Sequence, residues 1–182
     1  LTIVSYEKVG RTKDQIKVMD IALQKIGVNW VRLEFRSGKF WAIKRLISGV
    51  LLIRKLCAHI QPDFIHLRGL VPALIFQLSR STVPSLYDFR GFALGEWVDI
   101  GKITRSSLIY YILNQLDRNA VKSASGLVVL EESAKQLLIE TYDVPKVPLK
   151  VIRTCTDVNR YTKRKNIHSK DNRALRFVFL GG

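Results

Sequence analysis

Apolar and polar positions alternate between two periods along this chain. Leu1-Thr-Ile-Val-Ser5 is short, apolar and β-branched, which predicts a buried strand. From Arg11 to Ile26 the apolar residues fall at Ile16, Met19, Ala22, Leu23 and Ile26, a single helical stripe that Gly27 is placed to end. Val28 to Phe35 reads as a second strand. Lys39 to Ile60 reads as a long helix stopped by Gln61-Pro62. A third strand follows over Asp63 to Leu67 and a short helix over Gly69 to Ser79. Pro84 to Asp88 makes a fourth strand, and a glycine-rich stretch runs from Phe89 to Gly101. Thr104 is a candidate cap for a helix reaching about Ala124. Gly126 to Leu130 is the fifth strand, Glu131 to Tyr142 the next helix and Val147 to Arg153 the sixth strand.

Strand and helix thus alternate, and the strands read as continuous apolar runs. That combination predicts a parallel sheet covered by helices on both faces, a doubly wound, Rossmann-like α/β domain. The pattern breaks at Thr162 to Arg173, TKRKNIHSKDNR, which is nearly all polar. The expected organisation is therefore a Rossmann-like domain over 1–161 and a linker over 162–173. A further strand over 174–182, ending Leu180-Gly-Gly182, reads as the start of a second domain. The strand needs hydrogen-bonding partners that nothing else in the sequence provides.

Composition sharpens this picture. The chain has 182 residues, 47% of them hydrophobic, which excludes disorder, collagen and a disulfide scaffold. Thirty Lys and Arg against fifteen Asp and Glu give a net charge of +15, suited to nucleic acid, an acidic membrane surface or phosphorylated substrates. Cys57 and Cys155 form no metal or redox motif and read as reduced thiols. His59, His66 and His168 are scattered, so no metal is expected. The longest apolar stretch, Ile47 to Ile53, falls far short of the about 20 residues that span a bilayer.

In open parallel sheets ligands bind beyond the carboxyl ends of the strands. The residues predicted there are Tyr6-Glu7, Arg36, Arg68-Gly69, Asp88 to Gly91 with Glu96, Glu131-Glu132 and Arg153-Thr154. Arginine at several strand ends suits phosphate or carboxylate recognition. Leu67-Arg68-Gly69 opens a helix whose free N–H groups would join Arg68 on an anion; the alternative is a rim ion pair. Tyr87-Asp-Phe-Arg-Gly91 is the densest polar cluster. Asp88 fits a base or hydroxyl-orienting carboxylate and Arg90 an anion ligand, with an ion pair from Arg90 to Asp88 or Glu96 as the competing reading. Gly10 follows the first strand where a phosphate loop would lie, but G-x-G-x-x-G is absent, which argues against a dinucleotide dehydrogenase. Between Phe35 and Pro62 there is no acid, whereas Arg36, Lys39, Lys44, Arg45, Arg54 and Lys55 are basic. That helix either lies on anionic lipid or packs on the sheet with its lysines solvated.

Taken together, Gly10, Phe64-Ile-His-Leu-Arg-Gly69, Tyr87-Asp-Phe-Arg-Gly-Phe92 with Glu96, and Ser123-Ala-Ser-Gly-Leu-Val-Val-Leu130 resemble the family 4 retaining glycosyltransferases. So does Val151-Ile-Arg-Thr-Cys-Thr-Asp157 with Tyr161. Asp88 stands where many members carry histidine, Gly10 where paired glycines are common, and Arg153-Thr-Cys-Thr156 where Pro-Asn-Gly-Val is usual. The resemblance implies the N-terminal, acceptor-side half of a GT-B enzyme. A second domain would bind most of the nucleotide sugar and carry a pair of spaced glutamates, so residues 1–182 alone are expected to be inactive. It implies Asp88 as the catalytic residue, Arg68, Gly69, Arg90, Gly91 and Glu96 as substrate-binding, and Gly10 near the donor phosphates. No cofactor beyond the nucleotide-sugar co-substrate is implied. The expected partners are a carbohydrate or lipid-linked acceptor and an anionic membrane surface, without nucleic acid, at a cytoplasmic location. The alternative function is a basic α/β module that binds nucleic acid or a membrane surface without catalysis. Against nucleic acid, the cations are spread over several elements and no known nucleic-acid motif occurs.

Overall fold

The computed structural model describes residues 1–8, 12–144 and 146–155. Among these residues twelve elements follow one another as β1 (Thr2–Lys8), α1 (Lys13–Lys25), β2 (Asn29–Phe35), α2 (Lys39–Ile60), β3 (Ile65–Arg68) and α3 (Leu70–Ser79). They continue as β4 (Ser85–Phe89), α4 (Ala93–Asp99), α5 (Leu108–Ser123), β5 (Gly126–Val129), α6 (Glu132–Thr141) and β6 (Leu149–Val151). All strand pairs are parallel. The architecture is α/β and Rossmann-like, in the doubly wound class. Gly10, Asp157, Tyr161, the polar stretch 162–173 and the strand predicted over 174–182 lie outside the described residues.

The strands form two hydrogen-bonded sheets where the pattern predicts one: β1 with β2, and a second in the order β3-β4-β5-β6. A break between sheets leaves no mark in apolar periodicity, because the strands on either side still bury their side chains. The two sheets are tied through α2. Tyr6 on β1 donates its hydroxyl to the Arg45 carbonyl at 2.8 Å, and Gly49 leaves room for both the Tyr6 oxygen and Ile75 of α3. Nor is every strand a continuous apolar run. On β2, Arg32 and Glu34 face solvent, so that strand is buried on one side only.

Local rules explain most boundaries. Thr12 and Gln15 close a reciprocal capping box on α1, and Gly27 at φ 71° takes the left-handed position just past its end. The cap of α5 is Ser107, whose hydroxyl accepts the Tyr110 amide at 3.1 Å; Thr104 instead lends its carbonyl to the preceding turn. The glycine-rich stretch contains α4. Gly95 weakens it, but Leu94 is buried with Leu70 and Leu74, and that burial outweighs the about 1 kcal/mol cost of a helical glycine.

The main core lies on one face of the four-stranded sheet. Leu67, Tyr87, Phe89, Leu127 and Val129 point into it, against Ala73 and Phe76 of α3, Val121 of α5 and Leu138 of α6. Strands laid down in sequence with right-handed crossovers place their connecting helices on the same side, which accounts for this shared core. Phe89 meets Tyr87, Phe92 and Tyr142 edge to face, with ring centroids 5.7, 5.1 and 5.8 Å apart. One polar group sits among them. Asp117, 3% exposed, accepts hydrogen bonds from Tyr87 at 3.1 Å and Tyr142 at 2.6 Å. Burial raises the Asp117 carboxyl above its ordinary value, outweighing the two hydrogen bonds that lower it. Burial likewise raises both tyrosines. Sequence reasoning passed over Asp117, although it stands four residues after Leu113 and three and four before Ala120 and Val121, on the buried stripe of α5. Among the described residues no helix is long and apolar enough to cross a membrane.

Two outcomes follow from the network. Tyr142→Phe leaves a buried carboxylate oxygen without its donor and should cost about 1–3 kcal/mol in urea unfolding. Asp117 holds its proton more tightly in the folded state than its ordinary value of 3.8. Its contribution to stability is therefore full below that value and declines as pH rises through the higher folded value. The stability of the wild type relative to Asp117→Asn should accordingly fall as pH is raised from about 4 to 7; a difference constant or rising with pH would contradict the assignment.

Candidate functional site

The site is built on the sheet face away from the main core. Along β4, Tyr87 and Phe89 point into the core, so the strand's alternation turns Asp88 to the other face. Parallel register places Arg68 of β3 opposite Asp88, and Val128 of β5 on its other side. His66, two pairs back on β3, shares that face diagonally. Its Nε2 lies 3.7 Å from Asp88 Oδ2, and Arg90 Nη1 lies 3.5 Å from the same oxygen. These separations are those of ion pairs rather than good hydrogen bonds.

Asp88 is 6% exposed, and its Oδ1 is buried with no hydrogen-bond partner. Leaving a buried carboxylate oxygen unmatched costs about 1–3 kcal/mol or more. Such a group persists at the carboxyl edge of a parallel sheet, where ligands bind in this fold class. Both cation-forming side chains face Oδ2, while Oδ1 is closed to solvent. A ligand hydroxyl would have to displace a flanking side chain to reach it.

Two glycines shape the backbone around it. Gly69, at φ 81° and ψ −179°, occupies a region open in practice only to glycine, and its amide donates to the Asp88 carbonyl at 2.9 Å. Gly91 sits at φ 149°, and a Cβ there would stand 3.1 Å from Glu96 Oε1, so the Glu96 side chain crosses directly over it. Arg90 also reaches Thr154, beyond β6, at 3.4 Å, linking the ends of β4 and β6. Arg68 is exposed and makes no ion pair among the described residues, which removes the rim-pair reading for it. The N-terminus of α3 is a weaker anion site than its position suggests, because Pro72 in its first turn has no N–H to offer.

Of the residues singled out from sequence, Arg68, Gly69, Asp88, Arg90, Gly91 and Glu96 gather at this edge. For Arg90 the competing ion pair with Asp88 is also present. Arg36 is not part of the cluster: it pairs with Glu34 at 3.0 Å and stacks over Trp41. Glu132 pairs with Lys135 on its own helix. Gly10 falls outside the described residues. His66 is the member that sequence reasoning passed over, and its signal was present: it lies two residues before Arg68, hence on the same strand face. Among the described residues no group of three His, Cys, Asp or Glu converges as a metal site. A shallow hollow of about 260 Å³ lies at the opposite edge of the sheet, lined by Gln77, Ser81, Thr82 and Ser123, without a charged side chain.

No protein-family model matches this sequence, and no curated protein does. The molecule is thus defined by its own geometry as a Rossmann-like α/β protein with a buried acidic group and flanking cations at the carboxyl edge of its larger sheet. The glycine positions test that geometry. Gly69→Ala should lower stability by about 1–3 kcal/mol through backbone strain alone, since no side chain crowds the position. Gly95→Ala, in ordinary helical space on α4, should raise it by about 0.5–1 kcal/mol. Urea denaturation of both variants reads the contrast.

Proposed function

We propose that this chain is the acceptor-side unit of a glycosyltransferase that moves a sugar from a nucleotide-sugar donor to a carbohydrate or lipid-linked acceptor. The observation that carries the reading is the buried Asp88 carboxylate with an unused oxygen at the carboxyl edge of the sheet. Once a flanking side chain gives room at this solvent-closed carboxylate, an acceptor hydroxyl donating to it is oriented by it, and its proton has a nearby acceptor as the hydroxyl oxygen bonds to the anomeric carbon. The bond from that carbon to the donor phosphate breaks, and the nucleoside diphosphate departs with the electron pair. Arg90 and His66 set the charge around Asp88, while Arg68 is available to an anionic group of the substrate. The sequence resemblance to retaining glycosyltransferases points the same way. On this reading the protein works in the cytoplasm, peripherally at the inner face of the membrane.

Asp88→Asn keeps the shape and removes the charge. In the full protein it should lower sugar transfer about a hundredfold, with a melting temperature nearly unchanged. Arg90→Lys keeps the charge but loses the planar fork, and should raise the KM for acceptor. Transfer of radiolabelled sugar from a panel of nucleotide sugars, measured beside thermal unfolding, decides the matter. Unaltered transfer in both variants, or transfer from no nucleotide sugar at all, would overturn the assignment.

A further inference from the structure

Helix α2 carries apolar residues on both its inner and its outer face. Its inner face, with Leu46, Gly49 and Ile53, packs on α3 and the main core. A helix of this kind is normally buried on every side. Here the outer face is open: Phe40, Ile43, Ile47 and Leu51, spaced for one stripe, are each more than half exposed. Lys44, Arg54 and Lys55 are also exposed on this helix, and it contains no acid. Trp41 lies under the Arg36 and Lys44 cations, at 4.6 and 4.9 Å.

Charge distinguishes this face from the other exposed apolar positions. On α1, Val18 and Ile21 are open but Asp14 and Asp20 stand among its lysines, and on α6, Ile139 is accompanied by Glu132 and Glu140 beside Lys135, whereas α2 has no acid. The pattern recurs beside α3, where the first turns of α5 expose Leu108 and Ile109 after Lys102 and Arg105, and beyond β6, where exposed Ile152 lies between Lys150 and Arg153. A second copy of the chain would bring like charges together on α2. A nucleic acid would engage the cations but leave the apolar stripe in water. An apolar stripe edged by cations matches the acyl boundary and head groups of an anionic bilayer.

We propose that the outward face of α2 docks on an anionic lipid surface, with the helix axis in the plane of the membrane. The direction of the helix gives this contact a use. Leu46 meets Leu70 and Leu74, Gly49 meets Ile75, Arg54 donates to the Ser79 carbonyl, and Cys57 meets Ser81. α2 and α3 therefore run parallel, and α2 begins at the same carboxyl edge where Gly69 and Asp88 sit. A lipid-linked acceptor with its tail in the bilayer would present its head group at that edge; this refinement rests on the proposed transferase reading, whereas the membrane contact does not.

Co-sedimentation with vesicles tests the contact without any need for turnover. The chain should bind vesicles containing phosphatidylglycerol at low salt, bind pure phosphatidylcholine far less, and dissociate as ionic strength screens the cations. Lys44→Gln with Lys55→Gln should lower partitioning about 25-fold, at about fivefold per charge. Ile47→Asp should lower it about tenfold or more, with an unchanged thermal melt because the side chain faces outward. Ile139→Asp on α6 should leave binding intact. The proposal is overturned by equal binding to neutral and anionic vesicles, by binding to neither, or by wild-type binding of Ile47→Asp. It is equally overturned if the chain forms an Ile47-dependent dimer that ignores vesicles. Tight duplex binding indifferent to Ile47→Asp, without vesicle binding, would assign the cations to nucleic acid instead.

Discussion

Asp88 lies between two aromatic residues that are almost wholly withdrawn from solvent, and most of the molecule depends on that sandwich. Tyr87 and Phe89 are 1% and 2% exposed, packed against α5 and α6 on the core side of β4. Burying each is worth roughly 2–3 kcal/mol, so β4 cannot slip or rotate without losing both. A one-residue slip would invert every side chain of the strand. The clamped register holds the Asp88 carboxylate on the opposite face, beside His66 and Arg90. Its unmatched oxygen is tolerated because the aromatic core on the other side makes any other arrangement costlier.

The buried Asp117 serves the same strand from beneath. By accepting from Tyr87 and from Tyr142, it ties β4 and the end of α6 to the middle of α5. A carboxylate among aromatic rings is an expensive way to join elements, and an apolar residue could fill the same volume. What the polar network adds is direction, because each tyrosine hydroxyl has one place to donate. The site at the sheet edge and the network in the core are thus two faces of one strand, one lined by charged side chains and one by aromatic rings.

Helix α2 does a different job. It joins the two sheets through Tyr6 and Gly49 and supplies one wall of the α3 packing. Its outward face carries an exposed apolar stripe beside positive charge and no acid. Fold and surface are therefore coupled: the helix that binds the sheets together also presents the exposed apolar stripe and its cations.

The sequence by itself determined every element but α4, and their order, because each depends on neighbours a few residues away. Helix 39–60 ends where Gln61-Pro62 stops it, and Arg68, Gly69, Asp88, Arg90 and Gly91 fall at strand ends that apolar runs make visible. It determined equally the acid-free composition of α2. Tertiary structure alone decided what depends on contacts distant in sequence. Asp117 became a buried acceptor because β4 and α6 bring tyrosines from 30 and 25 residues away. His66 joined the site because β3 pairs with β4 in one particular register. The division into two sheets, the burial of Asp88 and the uncovered face of α2 arise likewise from which surfaces meet, and periodicity along a chain carries no record of that.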